Sequence, residues 1–418
     1  MFEIQITPTC VIMTDRLHRQ EDISLQHSYQ RTIYACFIGY VVQAIVNNFV
    51  PLLFITFQNT YRIPLAQITM LITINFLIQL AVDLLSAGFI DRIGYRASIL
   101  MAHVFSGAGL LLLTILPELF DPFLGISISV GVYAVGGGLI EVLVSPIMEA
   151  TPSDNKEKAM SLLHSFYCWG SVGVVFLSTL FFALFGTSNW KILALLWTLI
   201  PMANFLLFAR APISSLSEDG EKGMSLRELM SQKIFWPLIL MMLCAGASEQ
   251  SVSQWASTFA ERGLGVSKTI GDLTGPMSFS ILMGLSRTFY GKYGEKINLD
   301  SFMKYSSLLC VVSYLCIALI PIPAVNLIGC SVCGLSVGIM WPGTFSKAAA
   351  GIKRGGTLMF ALLALAGDLG CSAGPTLAGM VSSHLQDNLR AGILAAVIFP
   401  ILLLGGLFLY RKLSDTLH

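Results

Sequence analysis

Charge is what this 418-residue chain has least of. Asp, Glu, Lys and Arg make up 12% of it, where soluble domains carry roughly 25%. Hydrophobic residues make up 55% and the mean hydropathy is +0.74. No water-soluble core of this length needs so much apolar material. The first thirty residues lack the basic-then-apolar order of a cleavable signal, so the N-terminus is expected to stay cytoplasmic. No glycine-rich nucleotide loop and no nucleophile motif occurs, which leaves an enzymatic reading nothing to stand on. A net charge of +1 carries no message about acidic partners. Nine cysteines lie mostly in apolar segments and behave as small hydrophobes. Cys330 and Cys333 have CxxC spacing but no nearby His or Cys partners, so neither a metal nor another cofactor is expected.

What the chain does have is long uncharged blocks. Thr32 to Tyr61, Ala97 to Pro117, Ala159 to Trp190, Ile192 to Ala209 and Ala391 to Tyr410 each lack Asp, Glu, Lys and Arg. About 20 apolar residues suffice for a helix to cross a bilayer. The pattern predicts an all-α polytopic membrane protein with spans near 32–58, 64–90, 97–117, 122–150, 159–186, 191–210, 234–260, 270–291, 302–321, 324–347, 356–384 and 390–411. Pro321 and Pro323 divide an uncharged block too long for one span.

The cations test this threading. With both termini inside, only Arg62, Lys191, Arg262, Lys268 and Arg390 fall on the outer side, Arg287 sits within a helix, and the rest of the 25 Lys and Arg residues are cytoplasmic. That asymmetry is what the positive-inside rule demands, and omitting one helix would destroy it. The halves also echo each other: DRIGYR at 91–96 follows the second span and GKYGEK at 291–296 follows the eighth. The expected organisation is a cytoplasmic tail (1–30), a six-helix bundle (31–210), a cytoplasmic linker (211–232) and a second six-helix bundle (233–418). Such duplication puts a substrate site at the bundle interface near mid-membrane.

The segment GFIDRIGYRAS, residues 88–98, resembles the loop between the second and third helices of the major facilitator superfamily. Gly88, Asp91, Arg92, Gly94 and Arg96 match its pattern. The resemblance implies twelve helices in two pseudo-symmetric bundles, with these five residues as a conformational latch. Four further stretches are similar to the fucose-permease-like sugar/proton symporters: GGGLIEVLVSP around Glu141 and Pro146, SLLHSFYCWG at 161–170, GASEQSVSQW at 246–255 and GIMWPGTFSKA at 338–348. There are departures. Ser145 replaces an asparagine of that pattern, and Asn47, four residues before Pro51, stands where the family has an aspartate. Asparagine can bond a hydroxyl but carries no titrating proton, so coupling would rest on Glu141 or another carboxylate.

Glu141 is an acid among glycines and aliphatic side chains. Such a group is expensive in a membrane unless paired, protonated or used. One poised between two water-facing sides can relay a proton; the bland alternative is a structural acid that joins helices. Asp368 is a second isolated acid at depth, either a further coupling site or the partner of Arg287. Gln43 and Asn47 share a helix face, with Asn48 beside them. Their amides suit sugar hydroxyls, or equally interhelical bonding. Asn75, Gln79 and Asp83 form a second stripe that faces either the cavity or a neighbouring helix. Glu249, Gln250, Gln254 and Trp255 make the seventh span the most polar. Trp169 and Trp341 offer further aromatic planes, and His164 is a donor or relay near Glu141, or a packed neutral ring. The expectation is a monomeric inner-membrane carrier moving a small polar solute, a monosaccharide, with protons. The rivals are an exporter of amphipathic compounds, an uncoupled facilitator and a transport-free membrane sensor.

Overall fold

The computed structural model describes residues 29–151, 156–213, 224–352 and 355–417. Most of the expected tail and the middle of the expected linker lie outside them. The described residues are helical throughout, without a strand.

Ten helices among them are long and apolar enough to cross a membrane. They are α1 (Tyr29–Tyr61), α2 (Leu65–Ile93), α3 (Tyr95–Leu119), α4 (Pro122–Ala150), α5 (Lys156–Phe185), α6 (Trp190–Arg210), α9 (Leu299–Leu319), α10 (Pro323–Gly351), α11 (Gly356–His384) and α12 (Leu389–Asp415). The other two expected spans are segmented. α7 runs over 235–263, bends at Gln254 and Trp255 and ends in a π-turn at Phe259–Gly263. α8 runs over 268–293 with a π-turn at Leu273–Met277, which contains Pro276. Polar residues and Pro276 account for this: π-turns and bends form where the regular hydrogen-bond ladder is interrupted.

Connections are short and chemically marked. Arg62, in the left-handed region at φ 56°, ends α1, and Pro64 precedes α2. Gly94 at φ 83° makes the one-residue turn into α3, a backbone conformation that costs a side-chain-bearing residue strain. Between the bundles, Ser225 and Glu228 form a capping box on the short helix Leu226–Ser231.

Within the first bundle α3 packs against α4 and α6, and α2 against α4. Within the second, α7 packs against α11 and α12, and α9 against α10 and α12. Glycines allow these close approaches: the backbone of Gly370 lies against Leu243, and that of Gly136 against Ser106. Across the seam the main partners are α2 with α11 and α5 with α8. Those pairings fix which polar faces can meet.

Candidate functional site in the seam between the bundles

A cavity of about 130 Å³ lies on the seam, room for on the order of ten water molecules. The first bundle lines it with Tyr40, Gln43 and Asn47 from α1, Phe76 and Gln79 from α2, Glu141 from α4, and His164 and Tyr167 from α5. The second contributes Glu249 and Gln250 from α7, Arg287 from α8, Trp341 from α10, and Asp368 and Cys371 from α11.

One wall is a chain of amides. Gln43 Nε2 donates to Gln79 Oε1 at 3.0 Å and to Glu141 Oε2 at 3.0 Å. Gln79 Nε2 and Asn75 Nδ2 both donate to Asn47 Oδ1, at 2.9 and 3.2 Å. Gln43 Oε1 is buried with no hydrogen-bond partner among the described residues. Glu141 is thus oriented by an amide while a neighbouring acceptor stays free. Tyr40 Oη lies 3.1 Å from Ser145 Oγ and 3.5 Å from His164 Nδ1.

The facing wall is ionic. Arg287 Nη2 donates to Glu249 Oε2 at 3.1 Å, and Gln250 Nε2 donates to Glu249 Oε1 at 3.2 Å. Arg287 Nε is buried without a partner among the described residues. Arg287 therefore pairs with Glu249, and among the described residues no ion pair joins it to Asp368. The outer end of the Trp341 indole comes so close to α11 that a Cβ on Gly367 would collide with its ring.

Four expected solute ligands are elsewhere. Asn48 donates to Ala44 O at 2.9 Å and to Ser171 Oγ at 3.1 Å, so it joins α1 to α5. Gln254 donates to Gln250 Oε1 at 2.9 Å and across the seam to Asn47 O at 3.2 Å. That carbonyl is free because Pro51, four residues on, has no N–H to give it. Trp255 is fully buried, donates to Pro375 O at 3.0 Å and packs on Phe54. Trp169 is 45% exposed and outside the cavity lining. The reason is shared: each faces a neighbouring helix or the surface, and helix rotation decides that, not residue type. Conversely Tyr40, Phe76, Tyr167, Cys371 and Gln79 line the cavity without having been singled out as solute ligands. Their spacing of three or four from Gln43 and Asn47, His164, Asn75 and Asp368 is the signal that finds most of them.

The expected latch divides. Arg96 donates to the carbonyls of Phe208, Ala209 and Ala211 at 3.1, 2.9 and 2.8 Å, capping α6 inside its own bundle. Its job is thus helix capping, since the α6 C-terminus ends beside it with free carbonyls. Arg92 is exposed at the end of α2, Gly94 makes the turn, and Gly88 lies within α2. The side chain of Asp91 lies outside the described residues. At the opposite end of the molecule there is a cross-seam clamp that no local motif announces. Lys268 and Asp272 of α8 pair at 3.0 Å. Lys268 Nζ donates to Leu52 O of α1 at 2.6 Å, and Thr179 of α5 donates to Asp272 Oδ2 at 3.2 Å. Ser257 of α7 also bonds Asp272.

The sequence pattern of the Major Facilitator Superfamily matches residues 36–375. The chain belongs to the major facilitator superfamily. Members are transporters, not enzymes, and the protein is a multi-pass membrane transporter of a small solute. A bacterial homologue of the human lysosomal transporter Spinster, in an inward-facing and occupied conformation, superposes with a TM-score of 0.71 at 16% identity, over 91% of this chain and 96% of that one. The Escherichia coli fucose:proton symporter superposes with a TM-score of 0.64 at 15% identity, over 92% and 99%. At these identities the likeness is of fold, which is the two-bundle facilitator fold. No curated protein matches the sequence significantly.

Proposed function

We propose that this facilitator is a proton-coupled secondary transporter of a small polyhydroxylated solute, a monosaccharide, working as a monomer in the inner membrane with both termini cytoplasmic. The observation that carries the reading is Glu141 in the wall of the seam cavity, held by the Gln43 amide. Around it are an unfilled acceptor, Gln43 Oε1, and an unfilled donor, Arg287 Nε. A hydroxyl both donates and accepts, so a polyol can satisfy both. Trp341 and Tyr167 offer faces for the C–H side of a sugar ring. Rocking of the bundles would expose the same cavity to each side in turn. The fold likeness to a fucose:proton symporter supports the class without fixing the sugar.

A second reading has its own observation. Glu141, Glu249 and Asp368 outnumber the one lining cation, Arg287, which also suits exchange of an amphipathic cation for protons. A thermal-shift panel of monosaccharides and lipophilic cations separates the two. Coupling is tested in proteoliposomes: Glu141→Gln should abolish accumulation driven by a pH gradient and retain solute exchange. Unimpaired accumulation would overturn Glu141 as the coupling group.

A further inference from the structure

Three acids line the seam cavity, Glu141, Glu249 and Asp368, against one arginine and no lysine. Their partners divide them. Glu249 of α7 holds Arg287 of α8 at 3.1 Å. Glu141 of α4 accepts from the Gln43 amide. Asp368 of α11 is only 8% exposed. Among the described residues no lysine, arginine or histidine makes an ion pair with Asp368 or Glu141. Two acids of the wall are thus left without a counter-charge, one in each bundle.

A carboxylate in such a place is costly unless it is protonated or meets a cation. The proton-coupled reading above gives the proton to Glu141. Asp368 then awaits a cation that its own chain does not supply, and the cavity's occupant can bring it. Among the described residues no cluster of His, Cys, Asp and Glu is placed to hold a metal ion, which favours an organic ammonium.

The surroundings suit an ammonium carried on a small polyol. The outer end of the Trp341 indole reaches α11 at Gly367, the residue before Asp368. Trp341 and Asp368 therefore border the same part of the cavity, and an aromatic face attracts a cation. Gln43 spends Nε2 on Gln79 and Glu141 and keeps Oε1 buried and unfilled. Arg287 Nε is unfilled as well among the described residues. Hydroxyls can serve both, because they accept and donate. An ammonium only donates, so it is turned away from Arg287 and toward the surplus acids.

We propose that the solute is an amino sugar, a compact polyol whose ammonium group is held by Asp368 beside Trp341 while its hydroxyls meet Gln43 and Arg287. The inference rests on the polyol reading above and adds the charge of its solute. It also gives the two surplus acids separate work: Glu141 carries a proton, and Asp368 carries the cation.

The test is isothermal titration of the full-length protein in nanodiscs, below the pKa of the sugar amines. Matched pairs are compared: glucosamine with glucose, galactosamine with galactose, and mannosamine with mannose. In the pair that binds, the amine should bind about tenfold tighter or more than the hydroxyl form, as a charge-assisted bond provides. N-acetylation removes the charge and should cancel the gain. The preference for the amine should disappear in Asp368→Asn and persist in part in Asp368→Glu. Both sugars meet the same protein preparation, so their affinity ratio is insensitive to lost stability. Where Asp368→Asn does not fold, the wild-type ratio and its loss on N-acetylation decide the matter. A neutral sugar that binds as tightly as its amine, or a preference that survives in Asp368→Asn, overturns the inference and leaves the polyol reading standing. Binding by none of the pairs overturns the polyol reading itself, and this inference with it.

Discussion

Glu249 and Arg287 pair at 3.1 Å within one bundle, on adjacent helices α7 and α8, and both are largely buried. The cavity's lining cation is thereby committed to one carboxylate, while Glu141 meets the Gln43 amide and Asp368 lines the same cavity. This division sets what each acid can do: one fixes a wall, and the others are available for protons or solute.

Removing one member of a buried ion pair leaves the other charge uncompensated, which costs about 3–5 kcal/mol. Arg287→Met is therefore expected to lower the melting temperature sharply in detergent. Arg287→Met combined with Glu249→Met should recover most of that loss, because no charge is then stranded. A double variant as unstable as the single one would mean that the pair is held for something other than mutual compensation. Neither variant should bind solute as wild type does, since Arg287 Nε points into the cavity wall without another partner among the described residues.

Gly367 lets the Trp341 ring lie against α11. Gly367→Ala should push that ring into the cavity and weaken solute binding about tenfold, roughly 1.4 kcal/mol. Isothermal titration on the purified variant reads this directly. Phe345 packs edge-on to Trp341 with ring centroids 6.3 Å apart, so a compensating Phe345→Leu should restore part of the affinity by giving the indole somewhere to go. Unchanged affinity in Gly367→Ala would show that Trp341 takes no part in binding.

The clamp at the α1–α2 end makes a conformational prediction. Lys268→Met removes the bonds to Leu52 O and to Asp272 together. Charge-assisted hydrogen bonds contribute about 1.5–3 kcal/mol, so the population opened at this end should rise by roughly ten-fold or more. A cysteine introduced at the half-buried Leu264, beside the clamp, should react faster with a membrane-impermeant maleimide in the Lys268→Met background. Equal rates in both backgrounds would assign the clamp to helix stability alone.

How far these features could be read from residues alone varies with their range. Span positions follow from hydropathy, and ten of the expected spans recur as long helices within a few residues of their expected ends. α7 and α8 were foreseen as single spans, but their polar content and Pro276 break them. The cavity face of α1 was legible because Gln43 and Asn47 are four apart; that Asn48 turns toward Ser171 depends on helix rotation, which one sequence does not encode locally. Pairings across long separations were invisible. Nothing near Arg287 selects Glu249 over Asp368, and the i,i+4 pair Lys268–Asp272 is readable while its grip on α1 and α5 is not.

Pro51 is the remaining lever. It lacks an N–H, so Asn47 O has no helical donor, and the chain passes through a tight turn at Val50–Leu53 before α1 resumes at Phe54. Gln254 takes up the vacant carbonyl from the opposite bundle at 3.2 Å. Pro51→Ala would return a donor to α1, and the intrahelical bond would compete with Gln254 for the same oxygen. A straighter α1 would also rotate Leu52 O, the acceptor of Lys268. The variant should therefore be at least as thermostable as wild type, since a helix interior favours Ala over Pro by about 3 kcal/mol. Its solute exchange should nevertheless slow several-fold, because two bonds that tie the bundles across the seam are weakened together. Exchange rates in proteoliposomes alongside melting temperatures would separate these effects: a variant that is both less stable and unchanged in rate would show that the proline serves packing and not the seam.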